Sequence, residues 1–335
     1  MTFKKKVLLI RLDKIGDLIC TLPVDQILND GHASNNTFEP VWVVQKGLGQ
    51  IIELGEKKRQ YIELDKNNQK QAQQQLRQFL AVNNFEIAVS FQCPWWVNYE
   101  LFKARIKKRI GVLSQWHSFL FLNHGVRQKR SQALKHEFEY NLDLVLQITG
   151  PLPQEALNHL YFYFKKPTHS NVISKYNLPL TYSVVHPGMM GSALNWKQEQ
   201  YIEYIRKLIL QGKTIVVTGT PTDEPYLYKI KLAFASNNQV IWLQNKLSMQ
   251  ELIEVIYFSE QITVPSTGVA HIAAALRKPV KGIYSPIQVH HPRRWAPRSE
   301  TVTIYTPPAQ CPAQFKCLGD RCTEYNCMDK LSLEE

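Results

Sequence analysis

Short apolar runs alternate along the chain with longer stretches of mixed polar and apolar residues. Residues 6–12 form a mostly apolar run, which predicts a buried strand, and 17–29 then place apolar side chains at helical spacing. Further strands are expected at 41–45, 86–91 and 109–113, and a helix without Gly or Pro at 69–81. Strands that alternate with helices predict an α/β fold with a parallel sheet.

The second half of the chain repeats this alternation. Its expected strands are 183–186, 214–219, 240–243, 261–264 and 280–284, and its expected helices are 198–211, 249–259 and 269–276. Between the halves, residues 165–183 are polar, contain Pro167 and Pro179 and show little periodicity, which is typical of a linker. The sequence therefore predicts two domains, 1–172 and 173–335, and a length of 335 residues agrees with roughly 150 residues per domain.

The composition excludes several classes of protein. Hydrophobic residues make up 44% of the chain and charged residues 20%, proportions that exclude a disordered or fibrous protein. No apolar run approaches the roughly 20 residues that a membrane-spanning helix needs. The lysines at 4–6 precede an apolar run, but Arg11, Asp13 and Lys14 interrupt it, so we expect no secretory signal. The expected location is the cytosol, where cysteines stay reduced.

The charge balance favours a polyanionic partner. Forty Lys and Arg against 28 Asp and Glu give a net charge of +12, which suits nucleic acid, an anionic membrane surface or a phosphorylated substrate. Basic residues gather between Lys103 and Lys135, interleaved with Trp116, His117 and Phe119. An ordinary solvated face has the same pattern, so charge alone does not choose among these partners.

Polar residues follow several of the expected strands, at the edge where open α/β sheets bind ligands. The first strand leads into RLDKIGD, in which Asp17 is either a helix cap or a functional carboxylate. His186, Pro187 and Gly188 open a glycine loop whose backbone N–H groups are able to cradle phosphate. The acidic pair at 223–224 either contacts ribose hydroxyls or caps the next helix.

Residues 265–276 read PSTGVAHIAAAL and give the most specific signal for a ligand site in the chain. A strand runs into Ser266, Thr267 and Gly268, whose small side chains allow close approach of a ligand. A helix of small residues begins there, and the unpaired N–H groups of a helix N-terminus make an anion site. His271 lies about one turn into this helix, where a purely structural histidine is the alternative.

Four of the six cysteines lie within a short segment near residue 320: Cys311, Cys317, Cys322 and Cys327. Clustered thiolates bind zinc or iron–sulfur centres. Structural zinc sites usually contain CxxC-like pairs, however, and this segment has none. We therefore expect no metal, and a metal bound by these four thiols is the alternative.

Four sequence blocks follow one another along nearly the whole chain. They are KVLLIRLDKIGDLICTLP at 6–23, HPGMMGSALNW at 186–196, STGVAHIAAAL at 266–276, and SP at 285–286 with RWAP at 294–297. Together they resemble blocks of the ADP-heptose:lipopolysaccharide heptosyltransferases, glycosyltransferase family 9. The resemblance implies a GT-B architecture, in which two Rossmann-like α/β domains with parallel sheets face each other across a cleft.

The resemblance also implies the chemistry. The first domain would bind the acceptor and the second the nucleotide sugar, and transfer would invert the anomeric carbon without a metal or other cofactor. Asp17 matches the general base of the family, and Asp13 is a nearby competitor for that role. An ordinary carboxylate is able to accept the hydroxyl proton as it is lost in the transition state.

The implied donor is ADP-heptose. The residues expected to bind it are Ser266, Thr267, Gly268, His271, Gly188 and Glu224. Thr267, Gly268 and His271 match the contacts of the family to the donor phosphates, and Glu224 matches a ribose contact.

The implied acceptor is the inner core of lipopolysaccharide or lipooligosaccharide, which carries phosphates and carboxylates. The basic residues expected to contact it are Lys108, Arg109, Arg127 and Arg130. Such an acceptor predicts peripheral association with the inner face of the cytoplasmic membrane. Two alternatives remain: a protein (autotransporter) heptosyltransferase with a cysteine-bound metal, and a basic nucleic-acid-binding protein. The second lacks a recognisable binding module, so nucleic acid is not expected as a partner.

Overall fold

The computed structural model describes residues 4–29, 38–168, 171–189, 191 and 193–333. The chain folds into two compact units. The first contains Met1–Arg130 and Glu137–Phe162, and the second contains Ser131–His136 and Tyr163–Glu335. The domain boundary near residue 172 stays a prediction, and Val172 itself is buried in a short helix of the second unit.

A six-stranded parallel sheet forms the centre of the first unit. Its strands are β1 (Lys5–Arg11), β2 (Phe38–Gln45), β3 (Gln60–Leu64), β4 (Ile87–Ser90), β5 (Lys108–Val112) and β6 (His124–Val126). Its helices are α1 (Ile15–Thr21), α2 (Gln26–Asn29), α3 (Gly49–Glu53), α4 (Gln69–Val82), α5 (Trp95–Lys103), α6 (Trp116–Phe121), α7 (Glu137–Thr149) and α8 (Gln154–Leu157). The four strands expected in this half are confirmed as β1, β2, β4 and β5, and the helix expected at 69–81 is confirmed as α4.

The strand order of this sheet is β3-β2-β1-β4-β5-β6. The direction of winding therefore reverses between β1 and β4. Open α/β sheets bind ligands at such a reversal, outside the carboxyl ends of the strands. Asp13 and Asp17, which follow the carboxyl end of β1, lie at this position.

The helix expected at 17–29 is divided in the structure. Helix α1 ends at Thr21, a 3-10 turn covers Leu22–Asp25, and α2 follows. Pro23 lacks the N–H that a continuous α-helix requires. Asp17 lies inside the first turn of α1, whose N-cap residue is Lys14, so N-capping does not account for the aspartate.

The second unit has a six-stranded parallel sheet with the same winding. Its strands are β7 (Ser183–Val185), β8 (Ile215–Val217), β9 (Val240–Trp242), β10 (Ile262–Pro265), β11 (Val280–Ile283) and β12 (Val302–Tyr305). Its helices are α9 (Asn171–Lys175), α10 (Gln198–Leu210), α11 (Glu224–Ala233), α12 (Met249–Phe258), α13 (Gly268–Ala275) and α14 (Pro292–Trp295). The order β12-β11-β10-β7-β8-β9 reverses between β10 and β7. All five strands and all three helices expected in this half are confirmed.

Each unit has its own hydrophobic core. In the first, Leu8 and Ile10 of β1 pack with Leu76 of α4 and Trp96 of α5. In the second, strand residues of β7 and β8 pack with α10 and with residues near the end of the chain, including Met328. Burial of apolar surface in both cores fixes the strands, and thereby the loops that follow them.

Among the residues that the structure describes, no helix combines the length and the apolar character needed to cross a membrane.

Candidate active site

The carboxylate of Asp17 is held by a buried arginine. Arg11 is the last residue of β1, is 1% exposed, and donates from Nη2 to Asp17 Oδ1. Its Nε lies 3.1 Å from Asp13 Oδ2. Burial acts against the charge of Arg11, but Asp17, Asp13 and Glu137 raise the pKa of its guanidinium above the usual value. Arg11 therefore stays cationic and fixes the orientation of Asp17.

Behind this pair lies a second, fully buried layer. Glu137, the first residue of α7, accepts a hydrogen bond from Arg130 Nη1 at 2.5 Å and one from Arg11 Nη2 at 3.4 Å. Arg130 Nη2 donates to Asn141 Oδ1 at 3.1 Å, and Asn141 Nδ2 donates to Thr21 Oγ1 at 3.0 Å. Buried charges and amides of this kind are tolerated only when they are paired, so this layer is a rigid support for the loop after β1.

Asp13 has a different environment from Asp17. Burial raises the pKa of its carboxyl, although Arg11 acts in the opposite direction. Lys66 Nζ lies 3.5 Å from Asp13 Oδ1. The side chains of Asp13 and Asp17 are 33% and 21% exposed, whereas Glu137 is inaccessible. Both aspartates are thus reachable by a substrate, and both remain chemically possible proton acceptors.

The four basic residues expected to bind the acceptor do not form one group. In the register of the sheet, Lys108 and Arg109 align with Ile87 and Ala88 of β4, which align with Val7 and Leu8 of β1. They lie at the amino end of the sheet, whereas Asp17 follows its carboxyl end. Arg109 donates instead to the backbone oxygens of Phe121 and Ile106.

The other two basic residues lie elsewhere. Arg127 follows the carboxyl end of β6, and its guanidinium stacks on the ring of Phe119 at 5.7 Å. Arg130 is buried in the layer behind Asp17 and is paired with Glu137. Hydrogen bonds connect Arg130 to Asp17 through Glu137 and Arg11, so Arg130 has a structural role behind the carboxylate.

In the second unit, the loop after β10 has the geometry of an anion site. Thr267 is the N-cap of α13, and its Oγ1 accepts from the N–H of Val269 at 3.1 Å. Ser266 and Gly268 flank it at the carboxyl end of β10, and His271 is 5% exposed one turn into the helix. The start of α13 follows the carboxyl end of β10, which lies next to β7 at the reversal of the winding.

Gly188 lies on the neighbouring strand's loop, after β7. A Cβ on Gly188 would approach Asp223 Cγ to 2.2 Å, so only glycine fits against this carboxylate. Asp223 Oδ2 accepts from Thr220 N–H at 2.8 Å and from Thr220 Oγ1 at 2.7 Å. Close contact with a fixed, buried carboxylate sets the path of the loop that contains Gly188.

His186 connects the loops after β7 and β8. Its Nδ1 lies 2.9 Å from Thr218 Oγ1. Burial lowers the pKa of His186 to about 4, although the carboxylate of Asp223 acts against this shift. The imidazole is therefore neutral at physiological pH, and its hydrogen bond to Thr218 links the two loops.

Glu224 differs from its neighbour Asp223. It is exposed, and its Oε2 accepts from Gln244 Nε2 at 2.7 Å. Because water competes for an exposed hydrogen bond, Glu224 is able to exchange Gln244 for a ligand hydroxyl. The structure thus brings Ser266, Thr267, Gly268 and Gly188 to adjacent strand ends, with Glu224 at the start of α11 after β8.

The four clustered cysteines form no disulfide. Burial, together with the thiols of Cys311 and Cys317, raises the pKa of Cys327. Within the described part of the chain, no group of three or more His, Cys, Asp or Glu side chains is arranged to hold a metal ion. A metal bound by Cys311, Cys317, Cys322 and Cys327 stays the alternative to the expectation of no metal.

Sequence reasoning missed the supporting residues of Asp17. Glu137 and Asn141 lie on α7, 126 and 120 positions from Arg11 and Thr21, so no local pattern connects them. The available signal was indirect: an arginine in an otherwise apolar strand needs a buried anionic partner.

A family model described as glycosyltransferase family 9 (heptosyltransferase) matches residues 73–323. A Haemophilus influenzae protein named "Putative glycosyltransferase" is 27% identical over 322 residues, which cover 91% of this chain and 90% of that protein. The lipooligosaccharide heptosyltransferase 2 of the same species is 28% identical over 116 residues, covering 34% of this chain and 33% of that protein.

Among solved structures, the ADP-heptose lipopolysaccharide heptosyltransferase II of Escherichia coli has a similar fold. The TM-score is 0.74 at 18% identity, with 91% of this chain and 92% of that chain covered. This likeness confirms the expected GT-B fold class, with an α/β unit around each of two parallel sheets.

Proposed function

The chain belongs to glycosyltransferase family 9 and is a glycosyltransferase, and we propose that it transfers heptose from ADP-heptose to a hydroxyl of the lipopolysaccharide or lipooligosaccharide inner core. The names of the two heptosyltransferases described above support this donor and this acceptor class. The observation that carries the proposal is the position of Asp17. A partly exposed carboxylate, oriented by buried Arg11, lies where this fold binds ligands.

Asp17 is the general base in this proposal. As the acceptor oxygen attacks the anomeric carbon, its proton passes to the Asp17 carboxylate. The bond from that carbon to the ADP phosphate oxygen breaks at the same time, and attack opposite the leaving group inverts the configuration. Arg11 restrains the carboxylate during the transfer, since its own position is fixed by Asp13 and Glu137. General-base assistance is worth about 10²–10⁴-fold in rate.

The second unit binds the donor in this proposal. The N–H groups of Thr267 and Gly268 at the start of α13 contact the diphosphate, and His271 assists them. Ser266, whose N–H donates to Ile283 O at 3.1 Å, contributes its hydroxyl. A helix N-terminus stabilises the negative charge that develops on departing ADP, which is the role that a metal has in other transferases. We therefore propose transfer that needs no metal and no other cofactor.

Two further residues shape the nucleotide site. Gly188 lets the loop after β7 pack directly against Asp223, and in this proposal that packing holds the loop close to the donor. Glu224 contacts the ribose in this proposal, exchanging Gln244 for a ribose hydroxyl.

The basic segment from Lys103 to Lys135 supports an anionic acceptor. It contains nine Lys or Arg and no Asp or Glu. Each basic residue near an anionic headgroup layer contributes about 1 kcal/mol of attraction, so we propose peripheral association with the inner face of the cytoplasmic membrane. Arg127, near the carboxyl end of its sheet, is the basic residue best placed to contact the acceptor. Lys108 and Arg109, at the amino end, are assigned to the membrane-facing surface.

The test uses ADP-heptose and a heptose-deficient core oligosaccharide, with the product detected by mass. The parent protein should add one heptose. Asp17→Asn should lower kcat by about 10²–10⁴-fold while the thermal shift caused by ADP is retained. Asp320→Asn, an exposed aspartate of the second unit, is the matched control and should leave kcat unchanged.

Asp13→Asn decides between the two carboxylates. A full loss in Asp13→Asn with retained turnover in Asp17→Asn would transfer the role of base to Asp13. Absence of any heptose addition by the parent, with binding of nucleic acid in its place, would contradict the proposed function.

A further inference from the structure

Helices α5 and α6 of the first unit expose an unusual number of large apolar side chains. We call the surface formed by Trp95, Tyr99, Phe102, Trp116, Phe119 and Leu120 the α5–α6 face. Trp116, Phe119 and Leu120 are 65%, 53% and 63% exposed. Single exposed apolar side chains are ordinary on soluble proteins, but contiguous patches of them mark interaction surfaces.

The rings of this face are contiguous across both helices. The ring of Phe121 lies 5.5 Å from Tyr99, 5.6 Å from Phe102 and 6.4 Å from Trp116, measured between centroids. Trp95 lies 6.1 Å from Tyr99. These packed rings hold one another in place, so exposure of the patch is a fixed feature of the helix pair.

Cations border the same rings. Lys103 Nζ lies 5.5 Å from the ring of Tyr99, and the Arg109 guanidinium lies 5.4 Å from the ring of Phe102. Arg127 lies over Phe119. The one acidic residue of the two helices, Glu100, is buried and paired with Arg77. Three cations therefore border the face and neither helix exposes an acidic side chain, so an anionic partner is electrostatically complementary to it.

We propose that the α5–α6 face inserts into the headgroup layer of an anionic lipid bilayer. Trp and Tyr rings favour that depth, and Lys and Arg beside them contact lipid phosphates. The inference deepens the proposed function and rests on it in one respect, since a lipid-linked acceptor is held at such a surface. Apolar insertion of α5 and α6, and not basic charge alone, then attaches the enzyme to the bilayer.

The test measures sedimentation of the full-length protein with vesicles of phosphatidylcholine, with or without phosphatidylglycerol as a minor anionic component. The parent should bind the anionic vesicles much more tightly than the neutral ones. Trp116→Ala combined with Leu120→Ala should weaken binding to anionic vesicles by about tenfold or more, with an unchanged Tm.

The matched control is Tyr228→Ala combined with Leu232→Ala in α11 of the second unit. These side chains have the same spacing and similar exposure, 56% and 61%. This variant should bind vesicles as the parent does. Lipids brominated in their acyl chains should also quench the fluorescence of the parent more strongly than that of Trp116→Phe.

Equal vesicle binding by the parent and the α6 double variant would overturn the proposal, as would a change of oligomeric state in that variant with unchanged vesicle binding. Failure of the proposed function has a different signature. The double variant should retain transfer to a water-soluble, delipidated acceptor, whereas a wrong donor or acceptor abolishes transfer in the parent while vesicle binding persists.

Discussion

Glu137 offers a direct test of the layer that supports Asp17. The carboxylate is fully buried and accepts hydrogen bonds from both Arg130 and Arg11. Glu137→Gln keeps the shape but leaves two buried guanidinium groups without this anion. Removal of one partner from a buried ion pair costs about 3–5 kcal/mol, a large fraction of the stability of one domain.

The assay is hydrogen exchange followed by mass spectrometry, because it reports on each unit separately. Peptides from β1 and α7 in Glu137→Gln should lose protection by on the order of 10²-fold or more, since each 1.4 kcal/mol corresponds to tenfold. Peptides from β7 and β8 should be unaffected. Glu139→Gln, an exposed glutamate on the same helix, is the control and should change stability by less than about 0.5 kcal/mol.

Equal protection of β1 in Glu137→Gln and Glu139→Gln would refute this reasoning. It would mean that Arg11 and Arg130 are satisfied without Glu137, and the layer behind Asp17 would lose its supporting role.

Three further predictions concern the second unit. His186 takes up a proton near pH 6.5 in the unfolded chain but only near 4 in the folded protein, so its contribution to the free energy of unfolding is complete above about pH 6.5 and falls by about 3 kcal/mol as the pH drops to 4. His186→Gln should therefore give a shallower dependence of the unfolding free energy on pH. An unchanged slope would contradict this. Gly188→Ala should cost about 1–3 kcal/mol in thermal unfolding, since its Cβ meets Asp223, and a Tm equal to the parent's would show that the loop yields. Thr267→Val should cost about 1 kcal/mol through the lost cap and reduce the thermal shift caused by ADP; an undiminished shift would place the phosphates elsewhere.

The strands that the sequence predicted and those it missed differ in a physical way. Buried central strands such as β1 and β4 read as apolar runs, because both faces of a parallel sheet are covered. The missed strands β3, β6 and β12 lie at the edges of their sheets and are partly exposed, so their residues are mixed. The edge strand β9 was predicted, because its residues Val240–Trp242 are all apolar. The mixed composition of a strand, and not its edge position alone, therefore hides it from an analysis of periodicity.

The candidate site residues also differ in how far the sequence determines their position. Asp17 and the loop at 266–268 were proposed as site residues because each follows a predicted strand, and the structure places both at the carboxyl end of a strand. Lys108 and Arg130 were grouped as acceptor contacts by their proximity along the chain, but proximity along the chain does not fix the end of the sheet at which a side chain lies. Lys108 begins strand β5, whereas Arg130 lies beyond β6 and is paired with Glu137.

The separation of Arg11 from Glu137 also bears on synthesis of the chain. Their hydrogen bond spans 126 positions, and α7 returns to the first unit after the segment Ser131–His136 has joined the second. At translation rates of roughly 5–20 residues per second, a nascent β1 waits on the order of 10 s for this carboxylate. Until α7 leaves the ribosome, closing the interior would bury Arg11 without Glu137, so we expect the first unit to complete its folding only after that helix emerges.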